Sequence, residues 1–287
     1  MCPLDLPPER VGRPAPEDLV ARRSAMAELD PGPAAAGVTV TEETVGGVAC
    51  LVCSSAPVRL DVVYLHGGGF RLGQPSTWRG FGSRLAARLE ARVVVVGYRL
   101  APEAPFPAAL QDVSAVLDAV GGAARPLVLA GDSAGGGLAA AAVLAGGRPD
   151  AVVLISPWVD LRIAAASYAS RADVDRLFSR ASAEEGAEQY LQGHDPADPL
   201  VSPLVGPLRG FPPTFVCCGG DEVLLDDAVG LAAGLATAGG RVVLHVEPGQ
   251  PHVFPTLDPD GPAGRRVLDA AVAFLHGVLS GGGRAAP

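Results

Sequence analysis

Two stretches of the chain place residue types that acyl transfer needs. In Gly131-Asp132-Ser133-Ala134-Gly135 a serine sits in a G-x-S-x-G pattern, just after the apolar run 127–130 and just before an Ala-rich stretch reaching about Ala145. A turn that exposes such a serine is too tight for flanking side chains, and the helix that follows favours negative charge near the serine oxygen. In a chain with 37 glycines the five residues alone are a weak signal; the strand–turn–helix setting makes it strong. The second stretch, His66-Gly67-Gly68-Gly69-Phe70, follows another apolar run. A developing oxyanion needs N–H groups aimed at it, and a loop without side chains lets backbone amides approach. Gly68, Gly69 and the amide of Ala134 are the expected donors, with His66 expected to orient the loop rather than to transfer protons.

A serine hydroxyl is a poor nucleophile until a base takes its proton, and the base needs a carboxylate to hold its tautomer. His245 lies inside a strand-like run and His276 inside the last amphipathic helix, positions that suit core or surface roles. His252 falls on the loop just after the run 242–246, at the sheet edge where ligands collect, and is the expected base. Four acids follow the run Thr214–Cys218: Asp221, Glu222, Asp226 and Asp227. Asp221 is the first beyond the Gly219-Gly220 turn and is the expected partner of His252, with Glu222 pointing elsewhere. Asp226 and Asp227 precede an apolar stripe and suit the first turn of a helix, which favours acids.

These residues require a scaffold that brings strand ends together. Short β-type runs at 38–45, 48–53 and 58–65 are followed by apolar runs at 93–96, 127–130, 151–155, 214–218 and 242–246 that alternate with helical stretches. Continuous Val/Leu runs between helices are what a parallel sheet covered on both faces requires. The expectation is an α/β protein with an eight-stranded, mostly parallel, doubly wound sheet whose first strands are antiparallel. The rhythm breaks at 160–212. There Ser182-Ala183-Glu184-Glu185 reads as a capping box that starts a helix to about Gln192. That segment from 160 to 200, with residues 1–36 and their helix over 16–29, is expected to form a small helical cap on a single domain spanning 1–287. The GGGRAAP tail is expected to fray.

Composition narrows the partners. Net charge is −9 and all 22 basic residues are arginine, so a sequence-independent grip on nucleic acid is not expected. No run of 18 apolar residues survives without a breaker and the first ten residues do not read as a signal peptide, which points to a soluble, cytoplasmic protein. Of the five cysteines, Cys50, Cys53, Cys217 and Cys218 sit in apolar runs and read as buried small side chains in a reducing compartment. Cys50-x-x-Cys53 has no second ligand pair nearby, so no metal is expected.

Beyond the first two stretches, the blocks YRLAPEAPFPAAL (98–110), SPWVDL (156–161), DPLVSPL (198–204), GGDEVLLDD (219–227) and PHVF (251–254) stand in a particular order with HGGGF and GDSAGG. In that order the chain resembles the hormone-sensitive-lipase-like branch of the α/β-hydrolases, the bacterial family IV esterases. Gly97 stands where many relatives carry an acid, and the N-terminal segment is on the short side. The resemblance implies a serine carboxylesterase acting on short- to medium-chain esters through an acyl-enzyme on Ser133, with Asp221 and His252 completing the triad, the N-terminal helices and the 160–200 region forming the cap, and no cofactor. The implied partner is a small-molecule ester, with room for a homodimer. An intact Ser–His–acid set argues against a binding protein or a dehydratase on the same scaffold, but leaves an acyltransferase open, since it does not choose water as the second nucleophile.

Overall fold

The computed structural model describes residues 3–122 and 124–280. In chain order the elements are α1 (Glu17–Ala27), β1 (Thr39–Val45), β2 (Val48–Ser54), β3 (Leu60–Leu65), α2 (Arg79–Leu89), β4 (Ala91–Val96), α3 (Ala108–Val120), β5 (Leu127–Asp132), α4 (Ala134–Leu144) and β6 (Ala151–Ile155). There follow α5 (Ser167–Ser170), α6 (Arg180–Leu191), β7 (Thr214–Gly219), α7 (Leu225–Thr237), β8 (Val242–Glu247), α8 (Phe254–Leu257) and α9 (Pro262–Leu279). All eight runs are strands of one sheet, ordered β1-β2-β4-β3-β5-β6-β7-β8. β2 runs antiparallel to both its neighbours, and every pairing from β4 to β8 is parallel.

The valines and leucines explain why these runs choose the sheet. β-branched side chains suit a pleated surface, and a strand covered on both faces can be apolar throughout. Val63 and Leu65 face the layer of α3, α4 and α7, while Val62 and Tyr64 face the layer of α2 and α9. Val93 to Val96 are fully buried, each contributing roughly 1.5–3 kcal/mol relative to exposure. α4 is buried along its whole length and built almost entirely of Ala and Gly. Small side chains let it lie close to the sheet: a Cβ on Gly135 would stand 2.1 Å from the Leu65 carbonyl oxygen.

The chain leaves β3 toward β4 on one side and returns through α3 to β5 on the other. Loops at the carboxyl ends of β3 and β5 therefore open side by side, the usual place for a ligand in such sheets. The register sets Leu65 beside Gly131, so the loop after the first and the turn after the second start level.

The segment between β6 and β7 is helical and irregular. The capping pattern lies three residues earlier than the sequence suggests: Ser179 caps α6, its Oγ accepting the Ser182 N–H at 3.2 Å, and Ser182 lies within the helix. The N-terminal segment packs against α6, where Arg10 donates to the carbonyls of Leu191 and Gln192, Arg13 pairs with Glu188 and Arg22 with Glu185. Among the described residues no helix is long and apolar enough to cross a membrane. The GGGRAAP tail lies outside the described residues.

Candidate active site

Ser133 stands between β5 and α4 with φ 53° and ψ −123°, a conformation costly for any residue with a side chain. Its surroundings hold it there. Its N–H donates to the Ile155 carbonyl at 2.9 Å, and its carbonyl accepts from Trp158 at 3.0 Å and Gly137 at 3.1 Å. Such a strained turn lifts the hydroxyl off the sheet edge while α4 begins at once behind it, with the Ala134 amide in the first turn and free of an intrahelical acceptor.

His252 arrives from the loop after β8, and its Nε2 accepts from the Ser133 hydroxyl at 2.9 Å. The next residue fixes the loop, since the Val253 N–H donates to Ser156 Oγ at 3.0 Å. The opposite ring nitrogen, Nδ1, donates to Glu222 Oε2 at 3.1 Å. Ser133, His252 and Glu222 are all buried, Glu222 completely.

The sequence expectation for the acid is therefore corrected: Glu222, not Asp221, meets His252. The β7 ladder ends at Gly219. In the turn after it, Gly220 N–H donates to the Glu247 carbonyl and Asp221 N–H to the Gln250 carbonyl, which ties Asp221 to the end of β8 and the loop beyond it. Asp221 remains half-buried at this sheet edge, and the chain turns inward only at Glu222, ahead of the fully buried Val223 and Leu224. The only sequence signal is weak: Glu222 directly precedes Val223 and Leu224, which are fully buried, but an apolar neighbour does not by itself draw a carboxyl inside. Asp226 and Asp227 do lie in the first turn of α7, but both reach further. Asp226 accepts from Ser167, and Asp227 is buried with Oδ2 accepting from Val159 and Asp160.

Opposing effects set the charge of the imidazole. Burial pulls its pKa down, but the Glu222 hydrogen bond and charge, with smaller contributions from Asp175 and Asp132, lift it above its ordinary 6.5. Asp132, beside the nucleophile, is fully enclosed. It accepts from Tyr64 at 2.7 Å, Trp78 at 3.1 Å and the Gly67 amide, yet burial still raises its carboxyl to about 6. Its role is visible in its partners: it ties the turn carrying Ser133 to the glycine loop after β3.

In that loop Gly68 takes φ +114°, where a Cβ would also stand 2.2 Å from the Leu72 carbonyl oxygen. The loop carbonyls turn toward the protein: that of His66 accepts from Tyr98 at 2.7 Å, that of Gly67 from His66 Nδ1 at 2.8 Å, and that of Gly68 from Arg71 and Leu72. His66 is stacked between Trp78 and Tyr98, and burial lowers its pKa to about 4, which keeps it neutral. His245 in β8 bonds Glu247, and His276 is exposed on α9.

An aromatic wall lies against this line, and sequence reasoning does not find it because its members are far apart in the chain. Phe178 stacks on His252 with ring centres 5.6 Å apart and meets Trp158 edge-on, while Phe70 packs against Trp158 and stacks on Tyr190 at 3.9 Å.

Residues 62–256 match the α/β hydrolase fold family. The chain is 42% identical to an acetyl-hydrolase of Streptomyces hygroscopicus over 77% of each chain. It is 36% identical to an esterase of Acinetobacter venetianus over 58% of each chain. Among solved structures it is similar to the hormone-sensitive-lipase homologue EstE7 from a metagenome library, with a TM-score of 0.85 and 35% identity, covering 90% of this chain and 92% of that one.

Proposed function

Because the chain belongs to the α/β-hydrolase fold family, in its hormone-sensitive-lipase-like branch, we propose that Ser133, His252 and Glu222 are the working parts of a serine carboxylesterase. The protein is a carboxylic ester hydrolase. The observation that carries the assignment of residues is the unbroken buried line from Ser133 Oγ to His252 Nε2 at 2.9 Å and from His252 Nδ1 to Glu222 Oε2 at 3.1 Å.

In this reading His252 takes the hydroxyl proton as Ser133 Oγ attacks the ester carbonyl. Glu222 holds the tautomer that leaves Nε2 free and stabilises the imidazolium that forms. The oxyanion is met by the amides of Gly68, Gly69 and Ala134; turning the loop carbonyls of residues 66–68 toward the protein supports this. His252 then gives its proton to the leaving alcohol, and a water activated by the same base releases the acid. His66, neutral and stacked, orients the loop. No step asks for a cofactor or metal.

The substrates are small esters with short to medium acyl chains. Support comes from the ring of Phe178 on His252 and from Trp158, Phe70 and Tyr190 packed in series behind it, bulk that leaves less room for a long chain. Residues 1–36 and 160–200 serve as the cap, a reading supported by the contacts of Arg10, Arg13 and Arg22 with α6. Free, buried Cys50, Cys53, Cys217 and Cys218 suit a reducing, cytoplasmic setting. A homodimer would not be needed to complete the site, since one chain supplies all its residues. The test is release of nitrophenol from acetate, butyrate, octanoate and palmitate esters. Turnover should peak at or below about eight carbons, because a filled pocket discriminates by roughly 1–3 kcal/mol per methylene. Palmitate cleaved faster than butyrate would overturn the assignment of substrate size.

A further inference from the structure

The short segment between α5 and α6 carries Asp175, which is half-buried and lies far in sequence from the acid it approaches. Its Oδ1 accepts the N–H groups of Leu177 and Phe178, both at 2.9 Å. That much is an ordinary local turn, the kind an aspartate makes with the backbone two and three residues on. The other oxygen is not explained by it. Oδ2 reaches across to accept the Val223 N–H at 2.8 Å, on the residue immediately after Glu222. Val223 is held at its other backbone group as well, because its carbonyl, in the next peptide unit, accepts the Ser167 hydroxyl at 2.6 Å. Phe178, whose backbone Asp175 fixes, is the ring that stacks on His252.

Resting on the reading of Ser133, His252 and Glu222 above, we propose that Asp175 is a positioning residue of the reaction: one carboxylate ties the turn that presents Glu222 to the segment that lays Phe178 on the imidazole, and so holds acid and base in register. Its charge acts in the same direction. The charged groups facing His252 are Glu222 from the turn after β7, Asp132 from the turn after β5 and Asp175 from the insertion; each favours the imidazolium that forms in the transition state. The thiols of Cys217 and Cys218, on opposite faces of β7 just before Glu222, have pKa values raised by burial, which keeps them neutral. A carboxylate that only anchored the insertion would have no reason to touch the acid turn.

The experiment compares Asp175→Asn and Asp175→Ser with Ser167→Ala in the full chain. Serine can still accept from the local N–H groups but carries no charge and is too short to span to Val223, so it keeps the turn while releasing the acid. Ser167→Ala loosens the same residue without removing a charge. Two readouts are taken: kcat and KM on nitrophenyl acetate across the pH range, and the His252 imidazole titration by NMR with Ser133→Ala in each background. Both Asp175 variants should lower kcat about tenfold, the effect of losing one hydrogen bond to a charged group, with KM within about twofold. The acidic limb and the imidazole titration should both move down by a few tenths of a pH unit, and Ser167→Ala should leave the titration in place. A kcat within twofold of wild type, a loss carried by KM alone, or an imidazole that moves equally in Ser167→Ala overturns the proposal. The NMR titration does not depend on turnover. If the wild-type chain cleaves no ester while the imidazole still responds to Asp175 alone, the esterase reading fails and the positioning role stands.

Discussion

The turn after β5 and the turn after β7 each deliver one side chain to His252, and they are built by different means. Ser133 sits in a strained turn encoded by its own few residues: two glycines let α4 start against the sheet, and its N–H on the Ile155 carbonyl and its carbonyl under the Trp158 N–H fasten that turn to the end of the neighbouring strand. Glu222 is placed from a distance. Its turn has no strained residue of its own and is clamped by Asp175 and Ser167 from the insertion and by the Gly220 and Asp221 N–H groups on the carbonyls of Glu247 and Gln250. A site can thus draw one reactive group from a rigid local motif and another from an assembly of remote contacts. The second kind leaves a much weaker trace in the chain.

Substitutions at the two turns sharpen this contrast. Ser133→Ala should abolish ester turnover, with a loss on the order of 10⁶ in kcat, while the melting temperature stays close to wild type because alanine fits the same turn. Activity within tenfold of wild type would contradict the mechanism outright. At the other turn, Glu222→Gln keeps the shape but not the charge or the acceptor pair, and should lose on the order of 10⁴ in kcat. The acidic limb of kcat/KM reports the same partnership: the neutral imidazole is the active form and its pKa is raised, so activity should be lost as pH falls through a midpoint above 6.5. A midpoint well below that value would mean that Glu222 does not support the imidazolium.

The smallest effects belong to the neighbouring acids. Asp221→Asn should change turnover by less than about tenfold, since its side chain stays at the sheet edge, outside hydrogen-bonding contact with His252. If Asp221→Asn dies and Glu222→Gln survives, the inward turn at Glu222 has been misplaced. Asp227 speaks to stability instead. Burial lifts its carboxyl from 3.8 to about 8, so the folded chain holds a proton there that the unfolded chain releases. Stability from this group is full below about 4 and declines as pH rises toward 8. Asp227→Asn should flatten the dependence of melting temperature on pH in that window, with turnover changed by less than about tenfold.

Much of this molecule is legible in the order of its residues. Eight strand-like runs become eight strands: the central Val- and Leu-rich ones, β3 to β7, have few other ways to satisfy their backbones while burying both faces, and the largely exposed β1 and β8 pair along the sheet's two edges. Ser133 and His252 are legible for a related reason. Each lies just beyond a strand whose direction is fixed by the parallel sheet, so its end of the molecule is fixed too. The capping of α6 by Ser179 is not legible in the same way, because Ser182-x-x-Glu185 fits the capping box while Ser179-x-x-Ser182 lacks its Glu or Gln, and only the packing of the segment selects the earlier serine.

What the chain alone determined was the inventory and the edge of the sheet: a serine, a histidine and an acid after β7 at the carboxyl side, with a glycine loop beside the serine. What only the tertiary structure decided was which acid turns inward and what keeps it there. β7 ends at Gly219, and the turn that follows, held by the Gly220 and Asp221 N–H groups on the Glu247 and Gln250 carbonyls, leaves Asp221 half-buried and carries Glu222 inward. That turn depends on β8 and its following loop. The hold on Glu222 depends on Asp175 and Ser167, which lie 48 and 56 residues before the Val223 backbone they grip and meet it only once the insertion has folded back over the sheet.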